Sequence, residues 1–328
     1  MRAFLTVLGD SMRLLRARAL FWISLGISLL VAVVYLSIGF DEKGMSILFG
    51  AHHFGDGMLV KGSKEAELFY LGIFSKAIIG MWLSWIAIVI ALISNAPIFP
   101  EFLAEGSAGM ALSKPISRPQ IFFYKFAGAL LFLLVQTVLF AVIVFVAIRW
   151  RIGVWNPSVF WSVPIMILTF SYLYAVLALL GIKTRSVMAS LLLTLLFWFI
   201  CFCSLLAEQI AYSAAIRGEN PLTGMKLTAE DQAFWKSAYP WLRAPYAILP
   251  KPGETTALLD RWIVLGDGQD LGGSTIDAIS GRHGGMENLD EAKDDLTRHS
   301  PAWVIGTSLA FEAVILVLAC RIFSRRDF

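Results

Sequence analysis

The feature that most constrains this chain is a series of long apolar runs that carry almost no charge. The first run, Ala19 to Phe40, holds 22 residues without a charged side chain. A helix needs about 20 apolar residues to cross the hydrocarbon core of a bilayer, which is about 30 Å thick. Because lipid offers no partner to backbone N–H and C=O groups, a single run of this kind crosses as a helix. The run therefore predicts a transmembrane helix.

Five further runs have the same character, and the composition agrees with them. Of the 328 residues, 58% are hydrophobic and 16% are charged, whereas soluble domains have about 45–50% and about 25%. We therefore expect an all-α integral membrane protein that forms one transmembrane domain over residues 1–328, with an amphipathic N-terminal helix ahead of the first span. The six predicted spans are 19–40, 70–93, 126–148, 160–182, 186–207 and 302–320.

The placement of basic residues predicts the orientation, because lysine and arginine are enriched in cytoplasmic loops. With both termini placed inside, the inner segments total 61 residues and carry 12 basic and 4 acidic side chains. The 94-residue loop 208–301 carries 9 basic and 14 acidic ones. We therefore expect both termini on the cytoplasmic face of a cell's inner membrane. The inner segments are 1–18, 94–125, 183–185 and 321–328.

The large outer loop 208–301 is expected to contain helices. Segments 230–242 and 255–265 are amphipathic and rich in Trp, Tyr and Leu. Tryptophan and tyrosine favour the membrane–water interface, so we expect both segments to lie along the outer leaflet. The glycine-rich stretch 266–285 is expected to be a loop.

The inner loop 94–122 carries the most information about function. Pro97 and Pro100 are expected to end the second span, because proline breaks the helical hydrogen-bond ladder. A helix is predicted from Glu101 to Leu112, about 18 Å long and too polar to cross the membrane. Pro115 is expected to end this helix, and Pro119 to begin the next one. Such a helix either docks into a groove of a cytosolic partner or only anchors the second and third spans.

Residues of this loop resemble the inner-loop signature of ABC-2 type permeases, the membrane subunits of ABC exporters. The pattern is Gly106-Ser107, then Ala111-Leu112-Ser113-Lys114-Pro115-Ile116-Ser117-Arg118, and Lys125. It is most similar to the six-span group that includes the copper-processing permease of nitrous oxide reductase maturation. Family members have Thr in place of Ser107, Leu in place of Ala111 and Gly in place of Tyr124.

The resemblance implies a role for the helix 101–112 as a coupling helix seated in a cleft of a separate ATPase subunit. Lys114 and Arg118 would pair with acidic residues of that subunit or with lipid phosphates; ordinary positive-inside anchoring is the alternative. Either Glu101 or Glu105 matches the acidic residue of the family. The implied coupling residues are Glu101, Glu105, Gly106, Ser107, Leu112, Lys114, Pro115, Ser117, Arg118 and Lys125.

The same resemblance implies the partners. ATP and Mg²⁺ would bind to the ATPase subunit, and two permease chains, identical or different, would form the pathway for an exported substrate. No G-x-x-x-x-G-K-[ST] phosphate loop occurs in this sequence, so we expect no catalytic residue and no cofactor on this chain. The net charge of +3 gives no indication of nucleic-acid binding. The histidines at 52, 53, 283 and 299 are expected to be solvated loop residues and not a metal site.

Two polar residues inside predicted spans are further candidates. A carboxylate within a membrane is costly and marks a functional site by default, and Glu312 lies midway through the sixth span. It either faces a substrate cavity, takes up a proton, or joins two helices as a hydrogen-bonded acid. Gln136, in the third span, is expected to bond a neighbouring helix.

Two other functional classes remain open. A membrane scaffold would anchor a partner complex through the inner loop 94–122 or the outer loop 208–301, without transport. A membrane enzyme has weaker support, because the polar residues match no recognisable catalytic constellation.

Overall fold

The structure, a computed structural model, describes residues 19–41, 44–54, 66, 70, 74–103, 117–153, 155–220, 225–263 and 298–325. Of the described residues, 84% are helical. Five of the helical segments are long and apolar enough to cross a membrane. The prediction of a largely helical, multi-pass membrane protein is confirmed at this level.

Nine helices are numbered here in chain order over the described residues. They are α1 (Ala19–Ser37), α2 (π-helical over Phe74–Ala87 and α-helical over Ile88–Asn95), α3 (Ile98–Phe102), α4 (Arg118–Ile152), α5 (Ser162–Thr184, preceded by a 3-10 turn at Pro157–Trp161), α6 (Val187–Tyr212, continued by a π turn at Ser213–Arg217), α7 (Ala229–Ile248), α8 (Pro252–Trp262) and α9 (Pro301–Ser324).

The candidate spans correspond to the second through sixth predicted ones. They are Met81–Phe102, Arg118–Ile152, Pro157–Thr184, Val187–Arg217 and Pro301–Ser324. The predicted first span forms α1, whose 19 residues measure about 28 Å at a rise of ~1.5 Å each. Since α1 falls slightly short of the bilayer core, six spans stay a prediction.

Several helices extend beyond the predicted spans. Helix α4 begins at Arg118 and ends at Ile152, not at 126 and 148. Gly153 ends it with a left-handed φ of 91°, the usual C-terminal stop for a helix. Helix α6 and its π turn continue to Arg217, beyond the predicted span end at 207, and the start of the outer loop at 208 stays a prediction. The length of an apolar run indicates only the part of a helix that lies in the hydrocarbon core. The helix itself continues into the headgroup region until a cap residue ends it.

A small antiparallel sheet follows α1 and departs from the all-α prediction. Strands β1 (Gly39–Asp41), β2 (Gly44–Ile47) and β3 (His52–Phe54) pair in chain order. Phe40 lies opposite Met45, and Ile47 lies opposite His52. Strands of three or four residues are too short to show the alternation that identifies a strand in a sequence.

The second span ends differently from the prediction. Helix α2 ends at Asn95 and Pro97 is the N-cap of α3, so Pro97 does interrupt the helix. Pro100 lies inside α3 and does not end the span. Proline is tolerated in the first turn because the amide hydrogens there have no intrahelical acceptor. The helix therefore resumes before Glu101.

The chain forms two compact units. The first draws on residues 1–95, 116–170 and 256–300, and the second on residues 96–115, 171–255 and 301–328. In the first unit α1 packs along α4, and Tyr35 stacks on Tyr70 at 4.4 Å between ring centroids. In the second unit α7 packs on α6. One domain over 1–328 stays a prediction.

Candidate functional sites

The inner loop starts with the short helix α3, one side of which is packed against other helices. In α3, Phe99, Pro100 and Phe102 are buried while Glu101 is exposed. Glu101 therefore faces away from the packed side of α3. The backbone amide of Glu101 donates to the Pro97 carbonyl at 3.0 Å, and that of Leu103 to the Phe99 carbonyl at 3.1 Å, so the turn is closed by its own hydrogen bonds.

Helix α3 packs against the C-terminal ends of two long helices in its unit. The ring of Phe99 lies 6.3 Å from that of Tyr174 on α5. The ring of Phe102 stacks on Phe323 of α9 at 6.0 Å. Gly181 of α5 faces Pro100 so closely that an added Cβ would lie 3.3 Å from the proline Cδ. Helix α3 therefore contacts α5 and α9 near their C-terminal ends.

The middle of the predicted coupling segment lies outside the described residues. The structure describes α3 as far as Phe102, with Leu103 as its C-cap, and resumes at Ser117. The predicted helix 101–112 is therefore described only at its first residues. The predicted coupling residues outside the description are Glu105, Gly106, Ser107, Leu112, Lys114 and Pro115.

The end of the inner loop forms the capped start of α4. Ser117 is the N-cap, and its backbone amide donates to the Gln120 side-chain oxygen at 3.2 Å. Pro119 lies in the first turn, where its missing amide hydrogen costs nothing. Arg118 is the first residue of α4 and is half-buried. Lys125, two turns further on, is only 8% exposed.

Gln136 and Ser28 form a polar contact in the first unit. The Gln136 side-chain amide donates to the Ser28 hydroxyl at 2.6 Å, which ties α4 to α1. Both residues are buried. Hydrogen bonds of this kind hold transmembrane helices together where there is no hydrophobic driving force between them. The arrangement assigns Gln136 to helix packing.

Glu312 lies in the second unit on α9 and is 7% exposed. The Ser171 hydroxyl of α5 donates to its Oε2 atom at 3.0 Å. One turn earlier on the same face of α9, the Ser308 hydroxyl donates to the Val304 carbonyl and accepts from the Lys251 backbone amide at 3.0 Å. These residues give α9 a polar face within an otherwise apolar helix.

Lys251 occupies the corner between α7 and α8, outside the spans, and is 3% exposed. Its ammonium group donates to the Leu249 carbonyl at 3.1 Å and to the Thr307 hydroxyl of α9 at 3.0 Å. The same nitrogen lies 4.4 Å from the ring centroid of Trp303 and 5.0 Å from that of Tyr246. Aromatic faces attract a cation in this geometry. Lys251 thus joins the α7–α8 corner to the first turns of α9.

Burial dominates the electrostatics of this corner. It lowers the pKa of Lys251 from the ordinary 10.5 to about 8, because removal from water penalises the charged ammonium. Glu254 and Cys201 act in the opposite direction. Lys251 therefore changes charge near pH 8.

Sequence reasoning missed Lys251 and Ser171 as site residues. The sequence does place Lys251 between Pro250 and Pro252, which marks a fixed corner between two helices. Its aromatic partner Trp303 lies more than fifty positions away, and no local pattern links the two. Ser171 had a weaker signal, namely the need of Glu312 for a hydrogen-bond donor.

Helix α7 carries an apolar stripe on its exposed side. Phe234, Trp241 and Ile248 repeat every seven residues, and each is at least 65% exposed. Lys236 and Arg243, also seven apart, are exposed on another side of the helix. An apolar stripe opposed to basic residues is typical of a helix lying along a membrane surface.

The described histidines take part in local structure. His52 and His53 lie in β3, and the His299 carbonyl accepts from Arg261 at 3.4 Å. Among the described residues, no group of three His, Cys, Asp or Glu side chains is placed to hold a metal ion. His283 lies outside the described part of the chain.

Comparison with known proteins found no match: no family model and no curated protein matches the chain.

Proposed function

We propose that this chain is the membrane-spanning permease subunit of an ABC-2 type exporter, driven by a separate ATPase subunit. The proposal joins the inner-loop resemblance over 101–125 with the multi-pass helical fold. The observation that carries it is the packing of α3. An element that enters the inner loop and contacts the ends of both α5 and α9 is suited to transmit movement from a cytosolic partner.

In this proposal, the ATPase pushes on the inner loop and α3 passes the displacement to two long helices. Phe102 acts on α9 through Phe323, and Pro100 acts on α5 at Gly181. At the other end of the loop, the capped first turn of α4 would give the ATPase a second rigid element to push on. Interfaces between packed helices switch between discrete arrangements and do not deform continuously, so a small push would reorient whole spans.

The proposal is tested by affinity purification of the full chain from its native membrane, followed by detection of an ABC ATPase. Native chain is compared with a Lys114→Glu plus Arg118→Glu variant. We expect the amount of ATPase that co-purifies with the variant to fall about tenfold or more. Unfavourable charge pairs at an interface cost several kcal/mol, and about 1.4 kcal/mol corresponds to a tenfold change in affinity.

The matched control reverses two basic residues elsewhere. Lys236→Glu plus Arg243→Glu changes the net charge equally on α7, and we expect ATPase retention to be unchanged. Absence of an ATPase from the native chain, under detergent conditions that preserve other membrane complexes, would overturn the proposal. A different co-purified complex that depends on loop 94–122 would support the scaffold alternative.

A further inference from the structure

Glu312 lies where an ionised carboxylate is most costly. It lies at the middle of α9 and is buried, with only 7% of its surface exposed. Neighbouring side chains of α9 such as Val314, Val317 and Leu318 are apolar and exposed, as expected of a helix in contact with lipid. Acidic residues at such positions are rare and pair with a cation, take up a proton or line a pathway.

The described surroundings supply no cation. Among the described residues, no lysine, arginine or histidine forms an ion pair with Glu312. Lys251 contacts the same helix, but its ammonium group is held by Thr307, the Leu249 carbonyl and two aromatic rings. Tyr172 of α5 interacts electrostatically with Glu312 and is the titratable group that faces it.

The oxygen set around Glu312 also argues against a metal ion. Hard cations such as Ca²⁺ take about six to eight oxygen ligands, and Mg²⁺ requires octahedral geometry. The described contacts of Glu312 provide one hydroxyl, that of Ser171. A proton needs only one carboxylate oxygen and leaves the other free to accept the Ser171 hydrogen bond. The chemistry therefore fits a proton better than a metal.

We propose that Glu312 is a proton-binding site within the membrane, at the contact between α5 and α9. Binding adds H⁺ to a carboxylate oxygen and forms the neutral acid; release returns H⁺ and leaves a carboxylate held by the Ser171 hydroxyl. The neutral acid lets α5 and α9 pack closely, whereas the carboxylate favours access of water. This site does not depend on an ATPase partner and goes beyond the proposed transport role.

The test is labelling with an apolar carbodiimide, which reacts with protonated carboxyl groups that are sheltered from water. The full chain in its native membrane is treated at a series of pH values and Glu312 is examined by peptide mass spectrometry. We expect a labelled Glu312 at low pH and a decline of labelling as the pH rises. Glu101, exposed on α3, serves as the internal control and should remain unlabelled.

Two variants separate proton binding from a structural role. Glu312→Gln should remove the label, and Ser171→Ala should retain it. A hydroxyl donor stabilises the charged form of a carboxyl group, so in Ser171→Ala labelling should persist to a higher pH than in the native chain. This shift is not expected from mere loosening of the helix contact, which would admit water and reduce labelling.

Three results would overturn the proposal. The first is absence of label on Glu312 at every pH in the folded native chain. The second is labelling that does not change with pH. The third is protection of Glu312 by Na⁺ or Mg²⁺ at constant pH, which would indicate a metal cation as the ligand. Each is independent of ATPase co-purification, so failure here leaves the permease proposal standing.

Discussion

At the scale of single residues, Lys251 shows how a buried charge is retained by several weak contacts. Its ammonium group has carbonyl and hydroxyl acceptors and two aromatic faces, yet burial still lowers its pKa to about 8. The Lys251 backbone contributes separately, since its amide donates to Ser308 and its carbonyl accepts from the Thr255 hydroxyl at 2.8 Å. The corner would therefore stay in place after a change of side chain, which makes the charge itself testable.

Lys251 is expected to make stability depend on pH in the alkaline range. Below about pH 8 the lysine is protonated in both the folded and the unfolded chain. Between about pH 8 and 10.5 the folded chain has lost this proton while the unfolded chain still binds it. Stability rises with pH wherever the unfolded state binds more protons. The free energy of unfolding in detergent should therefore contain a component that increases across this window.

The variant Lys251→Met removes this component while keeping the length of the side chain. We expect the difference in unfolding free energy between native chain and variant to change with pH from 8 to 10.5, in favour of the native chain. Lys236→Met, at an exposed position on α7, is the control and should follow the native pH dependence. Parallel curves for native chain and Lys251→Met would contradict the assignment.

At the scale of elements, α3 is the piece whose position matters most to the proposed coupling. It is only five residues long, so its own hydrogen bonds cannot hold it as an independent helix. Its placement depends on the fit of Pro100 to Gly181 and on the stacking of Phe102 and Phe323. A side chain at position 181 should therefore disturb α3 selectively.

Replacing Gly181 by leucine is expected to release α3. An added Cβ alone lies 3.3 Å from Pro100, and overpacking of this kind typically costs about 1–3 kcal/mol. We expect the amides of Glu101 and Leu103 to exchange hydrogen about tenfold faster or more, since local opening controls their protection. Gly181→Ala should show a smaller effect in the same direction.

The control for this measurement is Gly306→Leu on α9. A Cβ at Gly306 meets no heavy atom within 4 Å, so exchange at Glu101 and Leu103 should not change. If Gly181→Leu also leaves these amides protected, α3 is not held by its contact with α5. ATPase stimulation by the chain, measured in parallel, should fall in Gly181→Leu and persist in Gly306→Leu.

The elements were predictable where a physical signal is carried by neighbouring residues. Apolar runs located five long helices, and the amphipathic segments 230–242 and 255–265 correspond to α7 and α8. The sheet at 39–54 was missed because its strands are very short. A bond from Gln136 to a neighbouring helix was expected, but the partners Ser28 and Ser171 were missed because they lie far from Gln136 and Glu312 in the sequence. The presence of Pro97 in the sequence correctly predicted an interruption of the helix. The contact of Pro100 with Gly181 has no such local signal, because it depends on tertiary packing.

At the scale of the whole molecule, the direction of α1 bears on the number of spans. Ser28 of α1 contacts Gln136 of α4, and the carbonyl of Leu36 accepts from Arg151 at 2.9 Å. Later residues of α1 thus meet later residues of α4, so the two helices run in the same direction. Alternating spans require the first and third to be parallel. The packing therefore supports a crossing by α1, although α1 is slightly short.

Six spans and five spans differ in where the termini lie. If α1 crosses, the two termini lie on the same face of the membrane; if it does not, they lie on opposite faces. An epitope at each end, probed by antibody in intact and in permeabilised spheroplasts, whose outer membrane has been opened, distinguishes the two arrangements. We expect both epitopes to be reached only after permeabilisation, because the basic segments 1–18 and 321–328 favour the cytoplasm.

Single introduced cysteines show on which side of the membrane each connecting segment lies. After the native Cys201, Cys203 and Cys320 are replaced by serine, one cysteine is introduced at an exposed position and treated with a membrane-impermeant maleimide. We expect labelling in intact cells at Phe49, in the turn between β2 and β3, and at Met225, ahead of α7. Lys183, at the end of α5, should be labelled only after permeabilisation. Labelling of Lys183 in intact cells would reverse the orientation and place α3 on the outer face, where a cytosolic ATPase has no access to it.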